Sequence, residues 1–201
     1  MAALPAKPAA HSAADDPWQE PRPALAPSFL RDLLTGLDAI DSTLADRAVE
    51  HVLAWPATYG PDSIILPALR ELATDGPLPA TPAATRLRAA ALAHLRARVA
   101  EPLAPPADWQ RPSQVPCCCA HCKELARYLD DPQRQGWTLR AKEADRRHVE
   151  DTIRKAASDV DTRTDQRGRP YGLVCVKNQA SYERRAAQRA QDLKDLALLG
   201  N

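Results

Sequence analysis

Residues 101–122, EPLAPPADWQRPSQVPCCCAHC, divide this chain into two kinds of sequence. Pro102, Pro105, Pro106, Pro112 and Pro116 fall within its first sixteen residues, and no hydrophobic periodicity survives there. Proline removes a backbone donor and fixes φ, so neither a helix nor a central strand can run through such a stretch. An extended connector, partly polyproline in character, is predicted over 101–116. Directly after it, four of the five cysteines of the chain fall between Cys117 and Cys122. From Ser28 to the connector the pattern is helical, and after the connector it mixes periods.

Upstream, residues 1–26 are Ala/Pro-rich with scattered charge. They carry too little apolar surface to offset the entropy of ordering, which predicts a disordered leader. From Ser28, a candidate cap, SFLRDLLTGLDAI places Leu30, Leu33, Leu34 and Leu37 at helical spacing. DSTLADRAVEHVLAW repeats the signal through Leu44, Ala48, Val52 and Trp55, with Asp41 or Ser42 as cap and Pro56 as stop. A third helix starts near Asp62, carries Ile65, Leu69 and Leu72, and closes at Gly76, with Pro67 in its first turn or at a kink. The fourth opens on Thr81 as cap and Pro82 as first residue, with Leu87, Ala91, Leu95 and Val99 along one face. Four helices with short links over 27–100 predict two stacked helical hairpins, as in HEAT-like repeats, at the length of an array's end rather than a full array.

Downstream, over 117–201, the pattern predicts a small α+β module. KELARYLDD is a short helix, GWTLR a strand, and AKEADRRHVEDTIRKAA a helix. DVDTRT and YGLVCVKN flank the turn signal DQRGRP and predict a β-hairpin, and QASYERRAAQRAQDLKDLALLG closes the chain as a helix. The fold class is therefore mostly α, with N-terminal helical hairpins followed by a small α+β module.

The net charge is +1, unevenly spread. Residues 1–110 carry nine Lys/Arg against thirteen Asp/Glu, and residues 111–201 carry eighteen against thirteen. Two units with different surfaces follow. No apolar run approaches the roughly 20 residues that span a bilayer, and the first 27 residues hold no compact apolar stretch of the secretory kind. A cytoplasmic chain with no membrane partner is the expectation. In that compartment a dense cysteine cluster more often holds metal or does redox chemistry than forms structural disulfides.

A structural zinc takes about four Cys or His ligands in tetrahedral array. Cys119 and Cys122 form a C-x2-C step at the mouth of a helix, whose N-terminus favours thiolate charge, and Cys117 can swing round as a third ligand. The fourth must come from afar. His148 lies in an i, i+4 row with Ala144, Thr152 and Ala156 beside Val149 and Ile153, so it is expected to face the core. Cys175, in the strand GLVCVKN, is the substitute. The favoured set is Cys117, Cys119, Cys122 and His148, holding a structural zinc, with Cys118 and His121 pointing elsewhere. The alternatives are unliganded thiols, a redox site, or, for Cys175, a small buried hydrophobe. Nucleophilic catalysis is disfavoured, because Cys122 and His121 are neighbours in sequence and diverge in direction. No glycine-rich phosphate loop is present. Arg163, Arg167, Arg169, Lys177, Arg184, Arg185 and Arg189 could line a nucleic-acid face, but interleaved acids make a solvated face the better expectation.

HVLAWPATYGPDSIILPAL, RLRAAALAHLRARVAEPLAPPADW, CCCAHCKELARYLDDP and RPYGLVCVKNQASYERRAAQR together resemble the C-terminal region of large bacterial proteins of the prolyl 4-hydroxylase-like 2-oxoglutarate/iron(II) oxygenase group. The likeness spans about residues 28–198 and is most specific over Cys117–Cys122 and Lys177–Tyr182. It implies helical repeats and a Cys-rich module behind an oxygenase domain. The iron-binding H-x-D…H triad of that group is missing from this sequence. HVE at 148–150 imitates part of it, but no histidine follows to complete it. The resemblance thus implies a noncatalytic tail, not an enzyme. The expected function is a metal-stapled protein-interaction module whose partner is unknown, an oxygenase being one candidate. A nucleic-acid-binding module and a thiol or redox protein are the alternatives.

Overall fold

The computed structural model describes residues 25–200, apart from 75, 77 and 112. The leader expected over 1–26 lies, up to residue 24, outside the described residues. Two compact units divide between Ala91 and Leu92, inside a helix.

In the first unit, α1 (Pro27–Ile40) begins with proline at its first position, where the missing N–H is no loss. Ser28 therefore falls inside the helix, and the residue at its cap, Ala26, makes no side-chain bond. Asp41 ends α1 and caps α2 (Ser42–Ala54), its Oδ1 accepting from the Thr43 backbone N–H at 2.8 Å. A π-helical turn, Pro61–Ile65, leads into α3 (Leu66–Thr74). Pro67 has no N–H to give, and just before it the Leu66 N–H reaches back five residues to the Pro61 carbonyl. The predicted kink is thus a widened turn. Thr81 Oγ1 accepts from the Ala84 N–H at 3.3 Å and opens α4 (Pro82–Ala100). α1 packs against α2, α3 and the π-turn, burying Leu30, Leu34, Val49, Val52, Ile65 and Leu69.

The second unit holds the end of α4, an irregular stretch, and then α5 (Ala120–Asp130), β1 (Gly136–Arg140), α6 (Glu143–Lys155), β2 (Val160–Asp165), β3 (Gly172–Lys177) and α7 (Ala180–Gly200). The strands form one antiparallel sheet in the order β1-β3-β2, so the predicted hairpin supplies the central strand and GWTLR adds at its edge. Gly168, in the hairpin turn, takes φ +83°, a conformation that disfavours side chains. Strand alternation sends Trp137, Leu139, Val160, Leu173 and Cys175 to one face, where they meet Leu125, Tyr128 and Leu129 of α5 and Val149 and Ile153 of α6.

The same alternation carries Lys177 inward. It is 1% exposed, its Nζ donates to the Asp131 carbonyl at 2.7 Å and lies 4.6 Å from the Tyr128 ring centroid. Its place on a basic outer face is therefore corrected. Charge suggested exposure, but the pleat and the carbonyl at the end of α5 decide otherwise. No helix among the described residues is long and apolar enough to cross a membrane.

Candidate metal centre

α5 begins with a cysteine doing the work usually done by serine or aspartate. Cys119 is the N-cap, in extended conformation, and its Sγ accepts the Cys122 backbone N–H at 3.4 Å. This turn fixes the C-x2-C step and turns Cys122 inward, where it is fully buried. α6 packs against α5 and brings in His148, whose Nε2 lies 3.3 Å from Cys122 Sγ and 3.3 Å from Cys117 Sγ. Cys117 arrives from the irregular stretch before α5. The ligand atoms of Cys117, Cys119, Cys122 and His148 all lie within 4.8 Å of one another. Tetrahedral zinc, with bonds of about 2.3 Å to sulfur and 2.0 Å to nitrogen, spaces its donors by roughly 3.5–3.8 Å. The cluster brackets that spacing and could hold a metal ion.

His148 is exposed rather than core-facing. Val149, Thr152 and Ile153 form the buried stripe of α6, and the row from Ala144 through His148 runs along its edge. The imidazole therefore reaches the sulfurs from the rim. Thr152 Oγ1 lies 3.8 Å from Cys122 Sγ and donates to the His148 carbonyl at 2.8 Å, joining the two ligands from beneath. The centre has a buried floor at Cys122 and an open mouth at Cys119, which is exposed.

The thiols differ accordingly. The Cys122 N–H on its sulfur is the main reason the Cys119 thiol falls to about 7. Burial pushes Cys122 up to about 12, with its hydrogen bond to Cys119 adding to the rise. A bound cation reverses that preference, because it supplies the charge a buried thiolate lacks.

Cys175 is not part of this set. It lies fully buried on β3 between Trp137 and Thr162, in the apolar core, and burial, then the charge of Glu150, pushes it up to about 12. Cys118 is exposed, and His121 faces Asp145 at 3.8 Å. Of the basic residues, Arg163, Arg167, Arg169, Arg184 and Arg185 are exposed. Arg185 and Arg189 donate to the Pro102 and Glu101 carbonyls, and Arg184 approaches Asp159 at 3.8 Å, so this set is partly engaged within the second unit. Arg111, which no periodicity flags in the proline-rich stretch, turns out to be 6% exposed.

Fold and site together define a mostly helical chain whose α+β module carries a Cys3His cluster compatible with metal binding. Comparison with family models, with curated proteins and with solved structures yields no match for this chain.

Proposed function

We propose that residues 117–200 form a zinc-stapled, noncatalytic protein-interaction module. The observation that carries this is the convergence of four donors, from three separate segments, to within 4.8 Å. Three thiolates and an imidazole suit zinc better than harder cations, which prefer oxygen ligands. With all four tetrahedral positions taken by protein, no position is left for water or substrate, which favours a structural role. A small module with one three-stranded sheet gains much from such a staple. The kinship with an oxygenase tail rests on the sequence resemblance alone. On that footing the partner to try first is an oxygenase of that group.

Elemental analysis of the purified chain tests the metal. About one zinc per chain is expected, lost in Cys119→Ser and His148→Ala together with the fold of residues 117–200. A metal-free wild type with that module fully folded would overturn the reading.

A further inference from the structure

Between Glu101 and Cys119 the described chain forms no helix or strand, yet it is tied down at Trp109, Arg111, Ser113 and Val115. The Trp109 N–H donates to the Pro132 carbonyl at 2.9 Å, and the Arg111 N–H to the Leu129 carbonyl at 2.8 Å. Leu129 lies in the last turn of α5, where carbonyls have no partner within the helix. The Arg111 side chain is the centre of the clasp. Its Nε donates to the Asn178 carbonyl at 2.8 Å, just beyond β3, and its Nη1 to the carbonyls of Asp108 and Gln110, each at 2.8 Å. Its guanidinium carbon stands 5.4 Å from the Trp109 ring centroid. Two residues on, Ser113 Oγ and Ser158 Oγ are 2.6 Å apart, and Val115 packs against the core.

This strap ends at Cys117. Three of the four donors ride on or directly cap helices that pack together, whereas the backbone of Cys117 is carried by the strap and its Sγ meets the others through His148 Nε2 at 3.3 Å. Six peptide units separate it from Arg111, a tether of at most about 20 Å when extended. An untied tether of that length would sample many positions, and closing the site would have to fix its backbone. The clasp at Arg111, with the Ser113–Ser158 tie and the packing of Val115, holds the described part of that tether beforehand.

We propose that Arg111 is a positioning residue of the metal site: it sets metal affinity by holding the strap that delivers Cys117. The proposal rests on the metal-binding reading above. Coupling is reciprocal, so a metal held by Cys117 also holds the strap on the module. Outer-sphere residues that orient metal ligands commonly change affinity 10- to 100-fold when removed.

The test is a double-mutant cycle on the full chain, titrated with cobalt(II) and zinc(II) against a competing chelator. Arg111→Ala is expected to weaken binding about 10- to 100-fold. At saturation it should keep the wild-type thiolate-to-cobalt charge-transfer intensity, because all three sulfurs still bind. Cys117→Ser should lose about a third of that intensity, one thiolate of three. In the Cys117→Ser background, Arg111→Ala should then cost less than about 2-fold, since the ligand it positions is gone. Leu173→Ala, a core variant, should weaken both backgrounds alike and so marks what general destabilisation looks like. If Arg111→Ala fails to fold, Ser113→Ala, which removes only the tie to Ser158, enters the same cycle with a smaller loss confined to the Cys117-containing background. Equal losses in both backgrounds, or none in either, would overturn the proposal. A wild type that binds neither ion would instead sink the metal reading beneath it.

Discussion

Cys122 and Cys175 are both fully buried thiols pushed from 9.0 up to about 12, yet their surroundings give them opposite chemistry. Cys122 has His148 Nε2 at 3.3 Å and two further sulfurs beside it, so a cation stabilises its thiolate. Cys175 has only core around it and stays a small hydrophobe. Cys175→Ala should therefore retain full metal stoichiometry and lose about 1–2 kcal/mol of stability for the small cavity it leaves; loss of the metal would return Cys175 to the ligand set. A pH effect follows with a definite sign. A raised folded-state pKa stabilises fully below the unfolded value and loses that contribution as pH rises through the folded one. In metal-loaded protein Cys122 is already ionised, which leaves Cys175 to contribute an alkaline decline between 9.0 and about 12. Denaturant melts at about pH 8 and about pH 10.5 should show a smaller drop for Cys175→Ala than for wild type. At this scale the clustering of the four candidate donors was legible, from the Cys spacing and from the place of His148 on α6. Exposure was not. Periodicity gives the face on which His148 lies, not how far neighbouring elements cover it, and at Lys177 charge was a worse guide than strand alternation.

The helices and strands themselves could be read from period, caps and turn residues, as at Asp41, Thr81 and the hairpin turn around Gly168. The irregular strap could not be read beyond its lack of regular structure. Its docking consists of backbone donors and one guanidinium seeking carbonyls, and carbonyls have no side-chain signature. The anchoring of α7 is similarly hidden. Asp159 caps its first turn, bonding the Ser181 N–H at 2.9 Å and the Ser181 hydroxyl. Further along, Asp192, 1% exposed, takes both Arg98 Nε at 2.7 Å and Arg98 Nη2 at 2.6 Å across 94 residues of sequence, with Gln188 at 2.9 Å. Burial alone would raise the Asp192 carboxyl, but the bonds from Arg98 and Gln188 outweigh it and hold it below 3.8. A lowered carboxylate stabilises above its unfolded value and loses that contribution as pH falls through the folded one. Asp192→Ala should thus cost about 1–3 kcal/mol at neutral pH, with Arg98 still able to reach water. The gap from wild type should narrow as pH falls below about 4. Urea melts of both proteins at neutral and acid pH measure it, and a gap that is constant with pH would remove Asp192 from the acid response.

Across the whole molecule, the two units depend on different chemistry. All five cysteines lie beyond residue 91, so the first unit has none, and its buried residues among those described are apolar. The core of the second is an eleven-residue cluster in which α5 and α6 meet the sheet, and the Cys3His set brings donors from those two helices and the strap to within 4.8 Å of one another. The sign change in charge near residue 110 and the proline-rich run just after α4 already marked two kinds of surface. The division at Ala91–Leu92 inside α4 was not marked, because a helix that runs on through that point without a Pro or Gly gives no sign of where its contacts change. Structural zinc binds with about 10–16 kcal/mol of apparent free energy at neutral pH, against about 5–15 kcal/mol for the net stability of a domain. Removing the metal should therefore exceed what the second unit can spare and leave the first largely untouched. Hydrogen exchange before and after a strong chelator reads this directly. Amides of α5, α6 and the three strands should lose protection by orders of magnitude, while those of α1, α2 and α3 keep theirs. Strand amides that stay protected in chelated protein would show that the apolar cluster stands without the staple.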